Sequence, residues 1–437
     1  MSKIMSTDAL ELRSGPPWWM APWMVSILLL VPLLTAALIV PIQFHWDLGR
    51  MAKLMTFEMW ALGVGGVFAF AFGSYLTAHT RPMGSGPDIA DLAASPAIRR
   101  LLVGATWGLL GVTVAAYFIW FMPVFRNPAI LVAILTGRAG DLQLRETIGT
   151  IPGVTTLVQA QIPYVALLLI RWIYIPGAQP SRLEKAALGG VFLLALMRNF
   201  VWSERIAVIE FLVPFAILFL RKPRWPRVTA IAPFFAVAGL VAFFSIFEYF
   251  RSWLAYYQFR YDSFAIFIMA RLSGYYVTAL DNGAGLVRDW APVGGPLSTA
   301  DWLWRFPLEI GQTWLADAIG LARFDHASWL YWNASPEFNN SSGIFMPFVD
   351  YGAAGGLVFW LLFGMLTGLI YRGFVRGGFA GLLIYPSWFV GMLEMPRILY
   401  LCEARYFPVV IICLLLIFLV STVSAQEAKA CATRPVI

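Results

Sequence analysis

The chain predicts an all-α, polytopic membrane protein of about ten transmembrane helices with one large, partly helical loop on its outer side. Three observations carry that expectation. Of the 437 residues, 60% are hydrophobic and only 13% charged, with a mean hydropathy of +0.73; a soluble domain carries about a quarter charged residues. Apolar runs near the roughly 20 residues needed to cross a bilayer recur from end to end. The interval 248–343 alone lacks such a run and is instead dense in aromatic and charged side chains.

Taken in order, candidate spans lie near 20–41, 56–78, 101–122, 152–174, 184–200, 203–220, 228–247, 344–371, 376–395 and 406–423. No small-residue cleavage site follows the first run, from Ala21 to Val40, so it reads as a retained span rather than a signal peptide. The fifth and sixth are short and separated only by "RNFVWSER", which equally fits a re-entrant pair. The organisation is therefore seven helices in 1–247, an outer loop over 248–343, three helices in 344–423 and a tail over 424–437.

Basic residues flanking the short loops set the orientation. "RKPRWPR", Arg221 to Arg227, is the strongest cytoplasmic signal and, with ten spans, places both termini on the cytoplasmic side. The net charge of +7 comes from 31 Lys and Arg against 24 Asp and Glu. Arginine supplies 26 of those cations, and outer loops still carry Arg126, Arg138, Arg145, Arg198, Arg205, Arg397 and Arg405. A planar, permanently charged guanidinium grips phosphate oxygens through two bonds at once, which lysine does not. Lipid headgroups or a lipid pyrophosphate at the membrane surface are the ligands this bias fits. Nothing points to nucleic acid.

The outer loop contains no lysine but has Arg251, Arg260, Arg271, Arg288, Arg305 and Arg323. Its "FRSWLAYYQFRYDSF" stretch is too apolar to remain a solvated linker. Such aromatics suit the membrane interface and also stacking beneath sugar rings. "APVGGPLST", Ala291 to Thr299, reads as a hinge.

Ionisable residues in or beside spans are functional candidates because an unpaired charge in hydrocarbon costs several kcal/mol. "SERIAVIE" places Glu204 and Arg205 at an outer helix start, one short loop from Arg198. Glu394 and Arg397 have the spacing of a helical ion pair. "SPEFNNSSGIFMPFVDYGAAGG" sets Glu337, Asn339, Asn340 and Ser341 at the outer membrane edge with Asp350 just inside. Gly352/Gly356 and Gly364/Gly368 repeat the small-xxx-small spacing of close helix packing, which would hold the Asp350 end rigid. "HWD" at 45–47 and "FDHASW" around His326 are weaker signals. Cys402, Cys413 and Cys431 are too scattered for a disulfide framework or a metal site. P-loop, Rossmann and zinc-helix motifs are missing, as is an Asp-x-Asp pair in the outer loops, so no cofactor or metal is expected.

The "SERIAVIEFLVPF" helix, the "RLSGYYVTALDNG" segment from Arg271 to Gly283, and "PEFNNSSGIFMPFVDYGAAGG" opening a late helix resemble the oligosaccharide repeat-unit (O-antigen) polymerases of bacterial envelopes. The likeness runs from about residue 184 onward; the arginine-to-glycine spacing, Arg271 to Gly283, is slightly longer than in some members. It implies an integral-membrane glycosyltransferase of the GT-C type that joins repeat units carried on undecaprenyl pyrophosphate. Membrane lipids, a chain-length regulator and a flippase are the further partners it implies. On that reading Arg198, Arg205, Arg251 and Arg271 hold pyrophosphate. Glu204, Glu337 and Asp350 serve as base or sugar-orienting groups, and Tyr275, Asn339 and Asn340 touch glycan. Two other readings fit the layout. One is an O-antigen ligase, which dependence on His326 would favour; the other is a lipid-linked glycan transporter, which the lack of an internal repeat disfavours.

Overall fold

The computed structural model describes residues 15–40, 53–80, 89, 94–130, 132, 148–202, 204, 206–221, 226–254, 256–305, 318, 326–335 and 338–432. Among them the chain is helical throughout, with no β-strand. Single turns aside, the helices are α1 (Pro22–Ile39), α2 (Phe57–His79), α3 (Pro96–Trp120), α4 (Val154–Tyr174), α5 (Arg182–Val201), α6 (Ile206–Leu220) and α7 (Pro226–Glu248). After these come α8 (Phe264–Ser273), α9 (Ala279–Asp289), α10 (His326–Asn333), α11 (Met346–Arg376), α12 (Phe379–Glu394) and α13 (Phe407–Ala432). α8 to α10 give the 248–343 segment its helical content. Polar side chains start several elements. Thr56 caps α2 through the Met59 amide, Ser95 caps α3 through Ile98, and Ser181 forms a reciprocal capping box with Glu184 at α5.

Seven helices, α1 to α4, α7, α11 and α13, are long and apolar enough to cross a bilayer, so this is a polytopic membrane protein. The other three expected spans differ in kind. α6 and α12 have only 15 and 16 residues. α5 has 20, but it carries Arg182, Glu184 and Lys185 at one end and Arg198 at the other. α6 begins at Ile206, which leaves Glu204 in the α5–α6 connection.

α4 is the central post: 78% of its most apolar stretch is buried, against 11% for α7. α11 lies along α2, and glycine makes this possible. A Cβ at Gly364 would come within 2.2 Å of the Phe70 carbonyl oxygen, and one at Gly368 within 2.2 Å of that of Ser74. Backbones at that separation admit hydrogen only, and the Thr77 hydroxyl exploits it by donating to the Met365 carbonyl at 2.7 Å. The Gly364/Gly368 pair thus packs as expected. The Gly352/Gly356 pair does something else. Gly352 has φ +72° and breaks the helix, a conformation that side chains resist. The Asp350 turn is therefore set off from the rest of α11 rather than held as its rigid end.

Hydrogen bonds sort the helix termini into two ends of the bundle. At one end, Arg221 after α6 donates to the carbonyls of Phe374 and Val375 at 2.8 Å, closing the end of α11. There Tyr174 reaches Leu218, Arg372 reaches Thr80, and Trp19 reaches Thr229. The opposite end gathers the last turns of α3, α5, α7 and α12, the first turns of α2, α4, α6, α11 and α13, and α8 to α10.

Candidate functional site

That second end holds two linked clusters of arginine and carboxylate. In the first, Glu210 on α6 is fully buried and accepts from four donors. These are Arg198 Nη1 at 2.9 Å, Gln159 Nε2 at 3.0 Å, Gln161 Nε2 at 3.2 Å and the Tyr400 hydroxyl at 2.6 Å. Tyr117 donates to Gln161 at 2.8 Å behind them. The remaining edge of Arg198 binds Glu204, its Nε lying 2.8 Å from Oε2. Glu204 also accepts from Arg405 Nη1 at 2.7 Å, and Arg405 Nε lies 3.0 Å from Glu403. Such a buried carboxylate is tolerable only because every lone pair has a donor.

The second cluster surrounds Arg271, at the end of α8. Its Nε is 3.0 Å from Glu248, the last residue of α7. The rings of Tyr257, Tyr275 and Phe338 lie 5.2, 5.9 and 5.1 Å from the guanidinium carbon, the geometry of cation–π attraction. Tyr275 joins the clusters, because Arg397 too sits 5.5 Å from its ring while pairing with Glu394 at 2.9 Å.

Accessibility separates these arginines. The side chains of Arg198 and Arg271 are 3% and 6% exposed, those of Arg397 and Arg405 23% and 37%. Arg198, Arg271 and Arg397 each pair with a buried carboxylate, whereas both partners of Arg405, Glu204 and Glu403, are partly exposed. Arg397 also keeps a buried Nε–H with no acceptor, a donor left over for an incoming anion. Both belong to "EMPRILYLCEAR", 394–405, where charges crowd the short connection between α12 and α13. That density between two apolar runs was the available sequence signal.

The carboxylates differ in the same way. At Glu204 burial pushes the carboxyl up, but the Arg198 and Arg405 guanidiniums outweigh it and hold it down to about 2, which makes a poor base. Glu403 is 28% exposed. Burial raises its carboxyl, Arg405 only partly offsets that, and neighbouring Asp301 adds to the rise. Asp301 in turn accepts from the Ala404 amide at 3.1 Å and pairs with Arg305 at 3.0 Å.

Asp350 is completely buried. Its carboxylate accepts the Ser298 and Thr299 amides at 2.9 and 2.8 Å and the Thr299 hydroxyl at 2.8 Å. The amides of Val293 and Gly294 meanwhile bond the carbonyls of Val349 and Asp350. The 290–299 hinge is thus latched onto the start of α11, and Asp350 is the latch. Asp281, a residue the sequence did not single out, does the same for α2, accepting the Leu54 and Met55 amides at 2.9 and 2.7 Å.

The 338–343 strip lies between α9 and the 397–399 segment. Asn282 donates to the carbonyls of Phe338 and Asn340, both at 2.9 Å, and a Cβ at Gly343 would meet the Ile398 carbonyl oxygen at 2.4 Å. Asn339 is exposed and Asn340 half-buried on this strip, and Tyr275 faces it with its ring 5.1 Å from that of Phe338. Arg198, Glu204, Arg271, Tyr275, Asn339 and Asn340 thus come together at one end, with Asp350 there but turned into its latch. Arg205, Glu337, Arg138, Arg145, Arg323 and the "HWD" at 45–47 lie outside the described residues, and of Arg251 only the backbone is described. Among the described residues no cluster of His, Cys, Asp and Glu could hold a metal ion. No family model matches this sequence, and no curated protein or solved structure matches it significantly.

Proposed function

We propose that the protein is a membrane-embedded glycosyltransferase that polymerises oligosaccharide repeat units carried on a polyprenyl pyrophosphate at the outer face of a bacterial inner membrane. On this reading all ten apolar segments cross and both termini are cytoplasmic. The supporting observation is the pairing of Arg405 with a partly exposed, raised carboxylate, Glu403, at the end of the bundle that also holds Arg397 and an aromatic and asparagine-lined strip. Cations to neutralise an anionic leaving group, a proton acceptor and a sugar-binding surface are what the reaction requires of a protein.

In the reaction, a hydroxyl oxygen of the acceptor repeat unit attacks the anomeric carbon of the donor glycan. The carbon–oxygen bond to the lipid pyrophosphate breaks, and the pyrophosphate leaves with the electron pair. The hydroxyl proton passes to Glu403. Arg397 and Arg405 neutralise the charge developing on the leaving oxygen, while Arg198, Arg271 and Glu204 hold those arginines' surroundings in place. Tyr275, Asn339 and Asn340 contact sugar rings and hydroxyls.

The test is surface glycan from cells lacking the gene, resolved on a gel beside complemented cells. A single repeat unit in place of the ladder supports polymerisation. If no repeat is attached and polymer accumulates on the lipid carrier, the reaction is ligation. An unchanged profile across the cell's surface polysaccharides refutes both.

A further inference from the structure

The single helical turn Asp301–Arg305 ends a strap, 290–305, that is tied down at two places. On one side Asp350 holds the Ser298 and Thr299 amides, just before the turn. On the other, the turn itself grips the α12–α13 connection. Asp301 Oδ2 accepts the Ala404 amide at 3.1 Å, a bond between residues 103 positions apart. Trp302 stacks on Phe407, with ring centroids 4.5 Å apart and planes 11° from parallel. Trp304 is buried, and its indole donates to the Pro296 carbonyl at 3.1 Å, which closes the turn back onto the strap.

The bond to Ala404 falls between the two groups that the proposed reaction uses. Nearby amides stay within the connection: Glu403 donates to the Tyr400 carbonyl at 3.2 Å, and Tyr406 to the Glu403 carbonyl at 3.0 Å. The Ala404 amide instead reaches across to another segment. An acceptor there fixes the peptide that joins Glu403 to Ala404, and with it the direction in which the Glu403 and Arg405 side chains leave the chain. Catalytic groups depend on such support, since small misplacements are costly.

Asp301 also brings a charge. Its side chain is 22% exposed, whereas that of its counter-ion Arg305, 3.0 Å away at the other end of the turn, is 42% exposed. Water screens the outer member of that pair more than the inner one. At Glu403, burial raises the carboxyl, Asp301 and Glu394 push the same way, and Arg405 and Arg305 oppose them. A like charge disfavours ionisation of its neighbour, so a proton that reaches Glu403 is held more firmly.

We propose that Asp301 is a positioning residue for proton transfer: it holds the turn that carries Glu403 and Arg405, and its charge beside that turn makes Glu403 the readier proton acceptor. The role of Glu403 as acceptor rests on the function proposed above; the contact between strap and turn does not.

The experiment compares wild type with Asp301→Asn, Asp301→Ala and Arg305→Gln, each as the full-length protein in phospholipid vesicles. Dicyclohexylcarbodiimide, which reacts with protonated carboxyls, reads Glu403 by peptide mass spectrometry across a pH series. Without the Asp301 charge Glu403 gives up its proton more readily, so its labelling in Asp301→Asn should fall off at lower pH than in wild type. Removing the opposing charge in Arg305→Gln should carry the fall-off to higher pH. A merely structural role moves neither. Coincident curves, or a Glu403 that labels at no pH, overturn the proposal.

Polymer synthesis gives the second readout. Asp301→Asn keeps an oxygen for the Ala404 amide, so the acid limb of its pH profile should move to lower pH with most of the plateau retained. Asp301→Ala loses the anchor and should lose about tenfold or more at every pH. Equal losses from Asn and Ala with no shift in either profile overturn the proposal. If labelling shifts as expected but Glu403→Gln still makes polymer, the coupling stands and Glu403 leaves the reaction. If Glu403→Gln makes none and labelling does not shift, the reading of the site stands and the role of Asp301 falls.

Discussion

Replacing Asp350 separates a latch from a catalytic base. The carboxylate accepts two backbone amides and one hydroxyl in a fully buried setting. Hydrogen bonds to a charged acceptor contribute about 1.5–3 kcal/mol each, and buried donors left without partners cost about 1–3 kcal/mol. Asp350→Ala strands the Ser298 and Thr299 amides, while the Thr299 hydroxyl keeps the Tyr351 hydroxyl at 2.6 Å as a partner. Two orphaned amides therefore set the cost, about 2–6 kcal/mol. Asp350→Asn retains one acceptor oxygen, so about half that is expected. The bonds at risk tie the 290–299 segment to α11, so its release should show as new proteolytic cleavage between Ala291 and Ala300 in detergent-solubilised protein. Thermal stability should fall in the order wild type, Asn, Ala. Polymer synthesis should fall in the same order, and Asp350→Asn should recover part of it at lower temperature. An Asp350→Asn protein with unchanged cleavage and stability but no synthesis at any temperature would refute the latch and make the carboxylate chemical.

Arg405→Ala should lower polymer synthesis by about 100-fold or more with normal membrane accumulation, and Arg405→Lys should restore part of it; normal chain lengths from Arg405→Ala would remove it from the site. Arg198→Ala should instead reduce accumulation, because breaking a buried pair costs about 3–5 kcal/mol, as measured by thermal unfolding in detergent. Gly364→Val, driving carbon into the Phe70 carbonyl, should destabilise by about 3 kcal/mol, whereas the same change at Gly108, which has open space around it, should be nearly neutral. At Asp281, burial raises the carboxyl to about 6 despite the Met55 and Leu54 amides. The folded value thus exceeds the unfolded one of about 3.9. Its contribution is then full below about pH 4 and is lost as pH rises through about 6, a change of ~3 kcal/mol. Asp281→Asn should flatten that part of the stability profile, and identical profiles would refute the assignment.

Much of the fold is legible because membrane burial leaves a strong signal. Runs of apolar residues near bilayer length mark α1 to α4, α7, α11 and α13 without any knowledge of neighbours. The Gly364/Gly368 spacing likewise announces the α2–α11 contact, though not its partner. Glycine at 352 was misread for a physical reason. The spacing with Gly356 says small, and small serves close packing and positive φ equally well. Only the backbone shows that Gly352 provides a break. Asp350 is ambiguous in the same way, since a carboxylate near a helix start in an apolar segment fits both a cavity-facing base and a side chain that captures a returning loop. The partner lies some fifty residues away in sequence, where no local pattern reaches.

The arginine bias points to one end of the molecule but cannot rank its members, because ranking depends on which carboxylate each one meets. Arg198 and Arg271 look most prominent in sequence because they adjoin long apolar helices. For that reason they are the ones buried, and a buried guanidinium must be paired before any ligand arrives. Arg397 and Arg405 sit in the connection between α12 and α13, where the partial exposure of Arg405 and of its partners lets an anion compete with Glu204 and Glu403 for the same donors. Exchange of a partly exposed carboxylate such as Glu403 for a phosphate costs less than exchange of a buried one; exchange at Arg198 would expose Glu210 to the full cost of an uncompensated buried charge. Of these arginines Arg405 is thus the one whose carboxylate partners an anion can replace at least cost, while Arg198 and Arg271 stay fixed on Glu210 and Glu248.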